Sequence, residues 1–290
     1  MALAFGMTSP GALVINRHSV AAQFHAAAVD LLSREEALNN LLLGISHSLA
    51  KGRVFGSESP MLLTLEVGGS VVGAAIRTPP YPLLLSRVET GHIGQLAAWL
   101  REHDGLLPGV NAEVAVAHHF ADAYLPTGVE PRVESKMRLF ELLQLTKVEH
   151  PPGSIRLAVE SDAELVRAWY ADFEREALPN EPSKVSVADN QLRAGQVWLW
   201  IDADRRPVCM AVRNRELPTG ASIGPVYTPP TFRFHGYATA LVAEVSRNIL
   251  GEGKRYVCLF TDLSNPTSNS IYPKVGYRRV ADMVNLCFPG

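Results

Sequence analysis

Two short stretches of this sequence hold residue types at spacings that could do chemistry. The first is Gly224 to Ala238, reading GPVYTPPTFRFHGYA. A strand-like run, Ala221 to Thr228, passes through Pro229-Pro230 into Arg233-Phe234-His235-Gly236-Tyr237-Ala238, where a helical pattern begins. A helix N-terminus carries unpaired backbone N–H groups and a partial positive charge, which suit a pyrophosphate. Gly236 lets the backbone approach the phosphates without a Cβ in the way. Ala238 keeps the next turn slim, and Arg233 adds a cation. The second stretch is Asn265 to Tyr277, reading NPTSNSIYPKVGY, in which Tyr272 offers a phenol. With an ordinary pKa near 10, a phenol is protonated at pH 7 and can serve as an acid without a large shift.

In this order the two stretches resemble the GNAT N-acetyltransferase superfamily. The acetyl-CoA loop of that family is written Q/R-x-x-G-x-G/A, and Arg233, Gly236 and Ala238 occupy its three defining positions. Its other signature is N-x-x-A-x-x-L-Y followed by G-F or G-Y. Asn265, Ser268 at the small position, Ile271-Tyr272 and Gly276-Tyr277 stand in register with it. The match runs from about Ser154 to Phe288, and in the N-terminal half it rests on element order alone.

The resemblance implies an enzyme that moves the acetyl group of acetyl-CoA to a primary amine of a small molecule. Transfer would be direct, in a ternary complex, with no metal and no covalent enzyme intermediate. The strand end at Pro225 to Thr228, with Val226 and Thr228, would pair its backbone with the pantetheine arm. Arg233, Phe234, His235, Gly236, Tyr237, Ala238 and Thr239 would hold the pyrophosphate. Asn265 would bond to the pantetheine or to adjacent backbone, with Ser268 beside it, and Tyr272 would protonate the leaving thiolate as general acid. Two positions depart from the pattern: His235 stands where many relatives carry arginine, and Phe234 where glycine is frequent. The rival readings are transfer of a longer acyl chain, acylation of a protein or peptide amine, and a non-catalytic acyl-CoA sensor. Tyr272 and Asn265 favour an enzyme, because a sensor needs only the pyrophosphate loop.

The general base is left open between a water chain and Glu174, Glu176 or Glu181, which lie in or beside the loop bordering the family's acceptor site. His118-His119 is a poor metal site, because adjacent residues on a helix face different directions. Cys209, Cys258 and Cys287 sit in apolar, strand-like stretches without CxxC spacing and read as packing residues.

The elements that must position these residues follow from periodicity and breakers. Glu149-His150-Pro151-Pro152-Gly153 marks a boundary between a domain at 1–150 and a domain at 151–290. After it come a strand at Ser154 to Val159 and a helix to about Ala177, opened by Ser161 and Glu164 as a capping box. A loop at Leu178 to Pro182 leads to a helix at Val185 to Ala194. Strands follow at Val197 to Ile201, Pro207 to Arg213 and Ala221 to Thr228, then a helix at Gly236 to Leu250 with Gly251 as C-cap. A strand at Tyr256 to Thr261, a helix at Pro266 to Val275 and a strand at Tyr277 to Phe288 complete the half.

The first half shows a similar order. Two helices lie within Ser19 to Ser48, and a hairpin turns at Gly68-Gly69 between Met61 to Val67 and Ser70 to Arg77. A strand at Leu83 to Arg87, a helix at Ile93 to His103 and a closing strand at Arg138 to Leu145 follow. The expected fold class is α/β (α+β): two GNAT-like halves, each a mixed, mostly antiparallel sheet flanked by helices. The first is a degenerate copy without either motif.

Composition narrows the partners. A net charge of −2 argues against a broad basic nucleic-acid surface. No run approaches the roughly 18 apolar residues of a membrane span. Met1 to Ile15 lacks a charged region ahead of its apolar stretch, so the expectation is a cytoplasmic protein, monomer or homodimer, with no signal peptide.

Overall fold

The computed structural model describes residues 11–55, 58–177 and 185–289. In chain order these form β1 (Leu13–Arg17), α1 (Ala21–Ser33), α2 (Asn40–Ala50), β2 (Met61–Val67), β3 (Ser70–Arg77) and β4 (Leu83–Leu85). Then come α3 (Thr90–His103), β5 (Gly109–Glu113), α4 (Val114–Tyr124), β6 (Arg132–Leu142) and β7 (Gly153–Leu157). The remainder is α5 (Ala163–Ala177), α6 (Val185–Arg193), β8 (Val197–Asp202), β9 (Pro207–Glu216), β10 (Gly220–Tyr227), α7 (Tyr237–Gly251), β11 (Tyr256–Asp262), α8 (Pro266–Val275) and β12 (Arg278–Cys287). Among the described residues no helix is long and apolar enough to cross a membrane.

The chain divides into two compact units, Met1–Lys136 with Asp282–Gly290, and Met137–Ala281. This division differs from a cut at residue 150. The strand read as closing the first half, β6, pairs antiparallel with β11 from Val257↔Leu142 to Asp262↔Met137. The final strand, β12, pairs with β5 from Met283↔Glu113 to Cys287↔Gly109. The reason lies in what each strand buries. Leu286 and Phe288 enter the core containing Leu96 and Phe120. Phe140 and Leu142 enter the core containing Leu241 and Val257.

In the first unit the strand order is β1-β2-β3-β4-β5-β12. The β2–β3 hairpin turns at Gly68 and Gly69, whose φ of 58° and 79° are the left-handed pair a two-residue hairpin requires. The pair β4–β5 is parallel, joined through α3. Three elements escaped the sequence reading here: β1, β5 and α4. His118 and His119 lie on α4, and no cluster of three His, Cys, Asp or Glu side chains suited to a metal occurs among the described residues.

In the second unit the order is β6-β11-β10-β9-β8-β7, antiparallel except for β10–β11. Side chains alternate across this sheet. Val197, Leu199, Met210 and Val212 face α5 and α6, while Cys209, Ala211, Ala221, Val257 and Leu259 face α7 and α8. Helix α5 buries Ala163, Val166, Trp169 and Tyr170, one stripe at helical spacing, and α7 buries Leu241, Val242, Val245 and Ile249. The Tyr277 hydroxyl meets the α7 residue Ser246 at 2.8 Å. Gly251 is the last helical residue of α7 rather than its cap, and the left-handed turn falls on Gly253 at φ 90°.

The start of α5 also differs from the capping box expected at Ser161. The Asp162 carboxylate accepts the Val159 N–H at 2.8 Å and two bonds from Arg156, at 2.6 and 2.9 Å. Asp162→Ala is therefore expected to cost about 2 kcal/mol of stability, the range for hydrogen bonds to a charged group. Thermal unfolding of both proteins measures it. Arg156 and the Val159 N–H hold the carboxyl below its ordinary 3.8 against the opposing effect of burial. A depressed folded pKa contributes stability above the ordinary value, which is lost as pH falls through the folded one. The difference between wild type and variant should thus be full at neutral pH and shrink below about pH 4.

Candidate active site

Strands β10 and β11 pair only at their beginnings, from Gly220↔Tyr256 to Ser222↔Cys258. Beyond Ser222 they part. Toward β9, the β10 register shifts twice, between Ser222 and Ile223 and between Ile223 and Val226. Such irregularities bend a strand and leave groups out of the ladder. The facing backbone of Ile223 to Tyr227, half-buried at Gly224 to Val226, is therefore without a ladder partner on its β11 side and open to another one. On the parted half of β11 the Thr261 hydroxyl is buried with no partner, and Asn269 Oδ1 on α8 is in the same condition. Buried polar atoms of this kind are few in native structures and call for a reason.

The connection from β10 to β11 runs through α7, so the N-terminus of α7 stands at the end of β10 where the strands diverge. Pro230–Phe232 forms one 3-10 turn before it. Gly236 is the N-cap at φ 80°, and no side chain caps the helix. The first-turn N–H groups of Tyr237, Ala238 and Thr239 thus remain for an external acceptor. A Cβ at Gly236 would meet nothing within 4 Å. The space in front of the helix is open, and glycine is required by its backbone angle and not by packing.

Phe234 resolves one departure from the loop pattern. Its φ is 67° and its ring is 94% exposed. It takes the left-handed backbone that glycine takes without cost, and it turns its ring to solvent, an outlier for a bulky residue. His235 points its Nδ1 at the Arg233 carbonyl, 2.7 Å away, and stacks on Tyr237 at 5.6 Å. Arg233 is not a free cation. Its Nε donates to the Thr228 carbonyl at 2.9 Å and its Nη2 to Glu176 Oε2 at 2.6 Å.

Helix α8 carries the second block. Asn265 is its N-cap, accepting the Ser268 N–H at 3.0 Å, so its side chain is spent on adjacent backbone. Asn269, which the sequence reading passed over, donates to the Asp262 carbonyl at 2.9 Å and ties α8 to the end of β11. Tyr272 is buried between Phe140 and Tyr277, at 5.9 and 5.8 Å between ring centres. Gly276 must be glycine: its φ is 110°, and a Cβ would lie 2.7 Å from the Gln144 carbonyl oxygen.

Cys209, read as packing alone, also takes a hydrogen bond from the first block. The Thr228 hydroxyl donates to its sulfur at 3.1 Å. Burial pushes the thiol up to about 12, so it stays neutral. Burial, and then the proximity of Cys209, raises the Tyr272 phenol above its ordinary value. The Thr228 hydroxyl at the loop thus ends on a buried, neutral sulfur. The alternation of β9 gave only an inward direction for Cys209, with no signal for what it meets.

Residues 205–285, which hold both blocks, match the family model described as FR47-like protein. The fold is similar to that of a GCN5-related N-acetyltransferase from Sphaerobacter thermophilus, at 19% identity and TM-score 0.63, covering 96% of each chain. It is similar to a Drosophila protein at 13% identity and TM-score 0.66, covering 96% of this chain and 99% of that one. It is also similar to a tandem GNAT protein from the clavulanic acid biosynthesis pathway, at 15% identity and TM-score 0.53, covering 95% and 98%. No curated protein matches the sequence. The chain has the fold of the GNAT acetyltransferase structures.

Within this fold the first unit has the same parallel pair and crossover helix without the same opening. The connection from β4 to α3 has four residues, Ser86 to Glu89, against nine from Thr228 to Gly236. The N-cap of α3 is Glu89, an anion where a phosphate would need a cation or a bare N–H. Arg87 is held by Glu35 at 2.5 Å and Glu113 at 2.8 Å. The cavity bordered by Leu38, Leu42, Leu85, Arg87 and Met283 has a volume of about 10 Å³, at most the room one water needs. Of the candidate bases, Glu174 and Glu176 lie on α5, and Glu181 with the Leu178–Pro182 loop falls outside the described residues.

Proposed function

We propose that the second unit binds acetyl-CoA and transfers its acetyl group directly to a primary amine of a small molecule. The observation that carries the reading is the gap between β10 and β11 at the uncapped start of α7. A pyrophosphate would accept from the open first turn behind Gly236, as phosphates do at helix N-termini. The pantetheine arm would lie along Ile223 to Tyr227 and take up the backbone groups that β11 leaves unpaired, adding a strand to an open edge. The buried Thr261 hydroxyl and Asn269 Oδ1 are hydrogen-bonding groups on the same parted region, which suits an amide-bearing arm.

In the transfer, the amine attacks the thioester carbonyl, the C–S bond breaks and the thiolate leaves, and the amine nitrogen gives up one proton to water or to a carboxylate such as Glu174 or Glu176. The phenol of Tyr272 remains protonated, because burial raises its pKa. A thiol with a pKa near 8.5 is a stronger acid than this phenol, so complete proton transfer to the thiolate runs uphill. Tyr272 would therefore act chiefly by donating a hydrogen bond to sulfur as charge develops, with its proton available as the product departs. Holding amine and thioester together supplies much of the acceleration.

The test is a panel of primary amines incubated with acetyl-CoA while free thiol is followed. Release that depends on a small amine supports the reading. Release only with peptides or only with longer acyl-CoA would replace it, and CoA binding without release for any amine would make the protein a sensor. A second expectation follows from the short connection before α3 and its Glu89 N-cap in the first unit. CoA titrated calorimetrically should saturate at one equivalent per chain, and two equivalents of similar affinity would overturn the reading of residues 1–136.

A further inference from the structure

Arg233 stands at the first position of the pyrophosphate loop, yet its guanidinium is engaged inside the protein. Beyond Glu176 and the Thr228 carbonyl, its carbon lies 5.9 Å from the centre of the Tyr227 ring. Glu176 belongs to the last turn of α5, and its other oxygen lies 3.4 Å from the Tyr227 hydroxyl. Asp172, one turn earlier, approaches the same hydroxyl at 3.4 Å. One ion pair therefore joins the loop that meets the cofactor to the helix on the other side of β10. Both partners are open to solvent, at 36% and 41% exposure, so a ligand can reach them without unfolding anything.

We propose that Arg233–Glu176 is a latch opened by the cofactor. A diphosphate at the start of α7 brings two negative charges to a guanidinium held by one exposed carboxylate, and such exposed pairs are weak. Arg233 leaves Glu176 for the phosphates, and the Glu176 carboxylate is released beside Asp172 and Tyr227. Glu176 is thus a positioning residue acting through Arg233, and it opposes cofactor binding until displaced. By linkage, any cationic group that engages the released Glu176 strengthens cofactor binding by the same factor. This inference rests on the loop assignment made above.

The experiment is calorimetric titration of CoA into the full chain and three variants, Glu176→Gln, Arg233→Gln and the double substitution. Circular dichroism checks that each is folded. Glu176→Gln should bind CoA about two- to fivefold more tightly than wild type, the range set by an exposed ion pair. Arg233→Gln should bind more weakly, and adding Glu176→Gln to it should change nothing further. A merely structural Glu176 would not strengthen binding when replaced. Unchanged or weaker binding by Glu176→Gln overturns the latch while leaving the loop assignment intact. An equal gain in the Arg233→Gln background also overturns it, because Glu176 would then act by its field alone. Failure of the wild-type chain to bind CoA overturns the loop assignment and the latch together.

Discussion

Gly236→Glu is expected to abolish CoA binding while leaving the second unit folded. Nothing in the protein lies within 4 Å of a Cβ at this position, so the new side chain meets no neighbour. Its backbone must still hold φ 80° at the N-cap of α7, which costs a non-glycine residue about 1–2 kcal/mol. That strain reduces stability without removing the core formed by Leu241, Val245 and Ile249. The carboxylate, however, projects into the space where the first-turn N–H groups would receive the pyrophosphate. Like charge and occupied volume act together, and affinity should fall by about 100-fold or more, equivalent to about 3 kcal/mol. Calorimetry with circular dichroism as control decides the matter. Gly236→Ala separates the two causes, since it carries the strain without the charge and should lose far less. A folded Gly236→Glu protein with wild-type affinity would remove this loop from cofactor binding.

Tyr272→Phe is the second large effect. It keeps the ring packed against Phe140 and Tyr277 and removes only the hydroxyl. CoA affinity should survive, and single-turnover acetyl transfer to a saturating amine should slow by about 10- to 100-fold. That factor corresponds to one hydrogen bond to a developing charge, about 1.5–3 kcal/mol. The pH dependence follows from the raised pKa. Burial and Cys209 both favour the neutral phenol, so the hydroxyl keeps its proton through its ordinary titration range near 10. Wild-type transfer should therefore show no alkaline loss below about pH 10 attributable to Tyr272, and the ratio of wild-type to variant rates should be flat up to that pH. Equal rates in both proteins would return Tyr272 to a packing role. Loss of CoA binding in the variant would assign the hydroxyl to holding the pantetheine arm.

Much of the second unit was legible because its signals are local. The proline turn, the glycine at the start of α7 and the Asn-to-Tyr block each act within a dozen residues, and α8 falls at Pro266–Val275 as read. The hairpin at Gly68-Gly69 was legible for the same reason. What escaped depends on distant pairing. Nothing in the alternation of β6 or β12 says which sheet each joins, because a buried strand reads the same in either. The parting of β10 from β11 is a matter of register between strands more than 30 residues apart, and Ala221 to Thr228 reads locally as an ordinary strand. The partners of Arg233 and Cys209 were hidden likewise: Glu176 is 57 residues from one and Thr228 is 19 from the other. The sequence does name these side chains, but only the fold brings them together.

The central claim is direct acetyl transfer in a ternary complex, and one measurement meets it squarely. Enzyme in excess over acetyl-CoA is quenched at short times without and then with a saturating accepted amine, and free thiol, N-acetyl product and protein mass are all recorded. The account predicts no thiol and no added mass on the protein before the amine is present. After its addition, thiol and N-acetyl product should appear together in equal amounts at the same rate. A burst of thiol without amine, accompanied by an acetyl group on the protein, would contradict it.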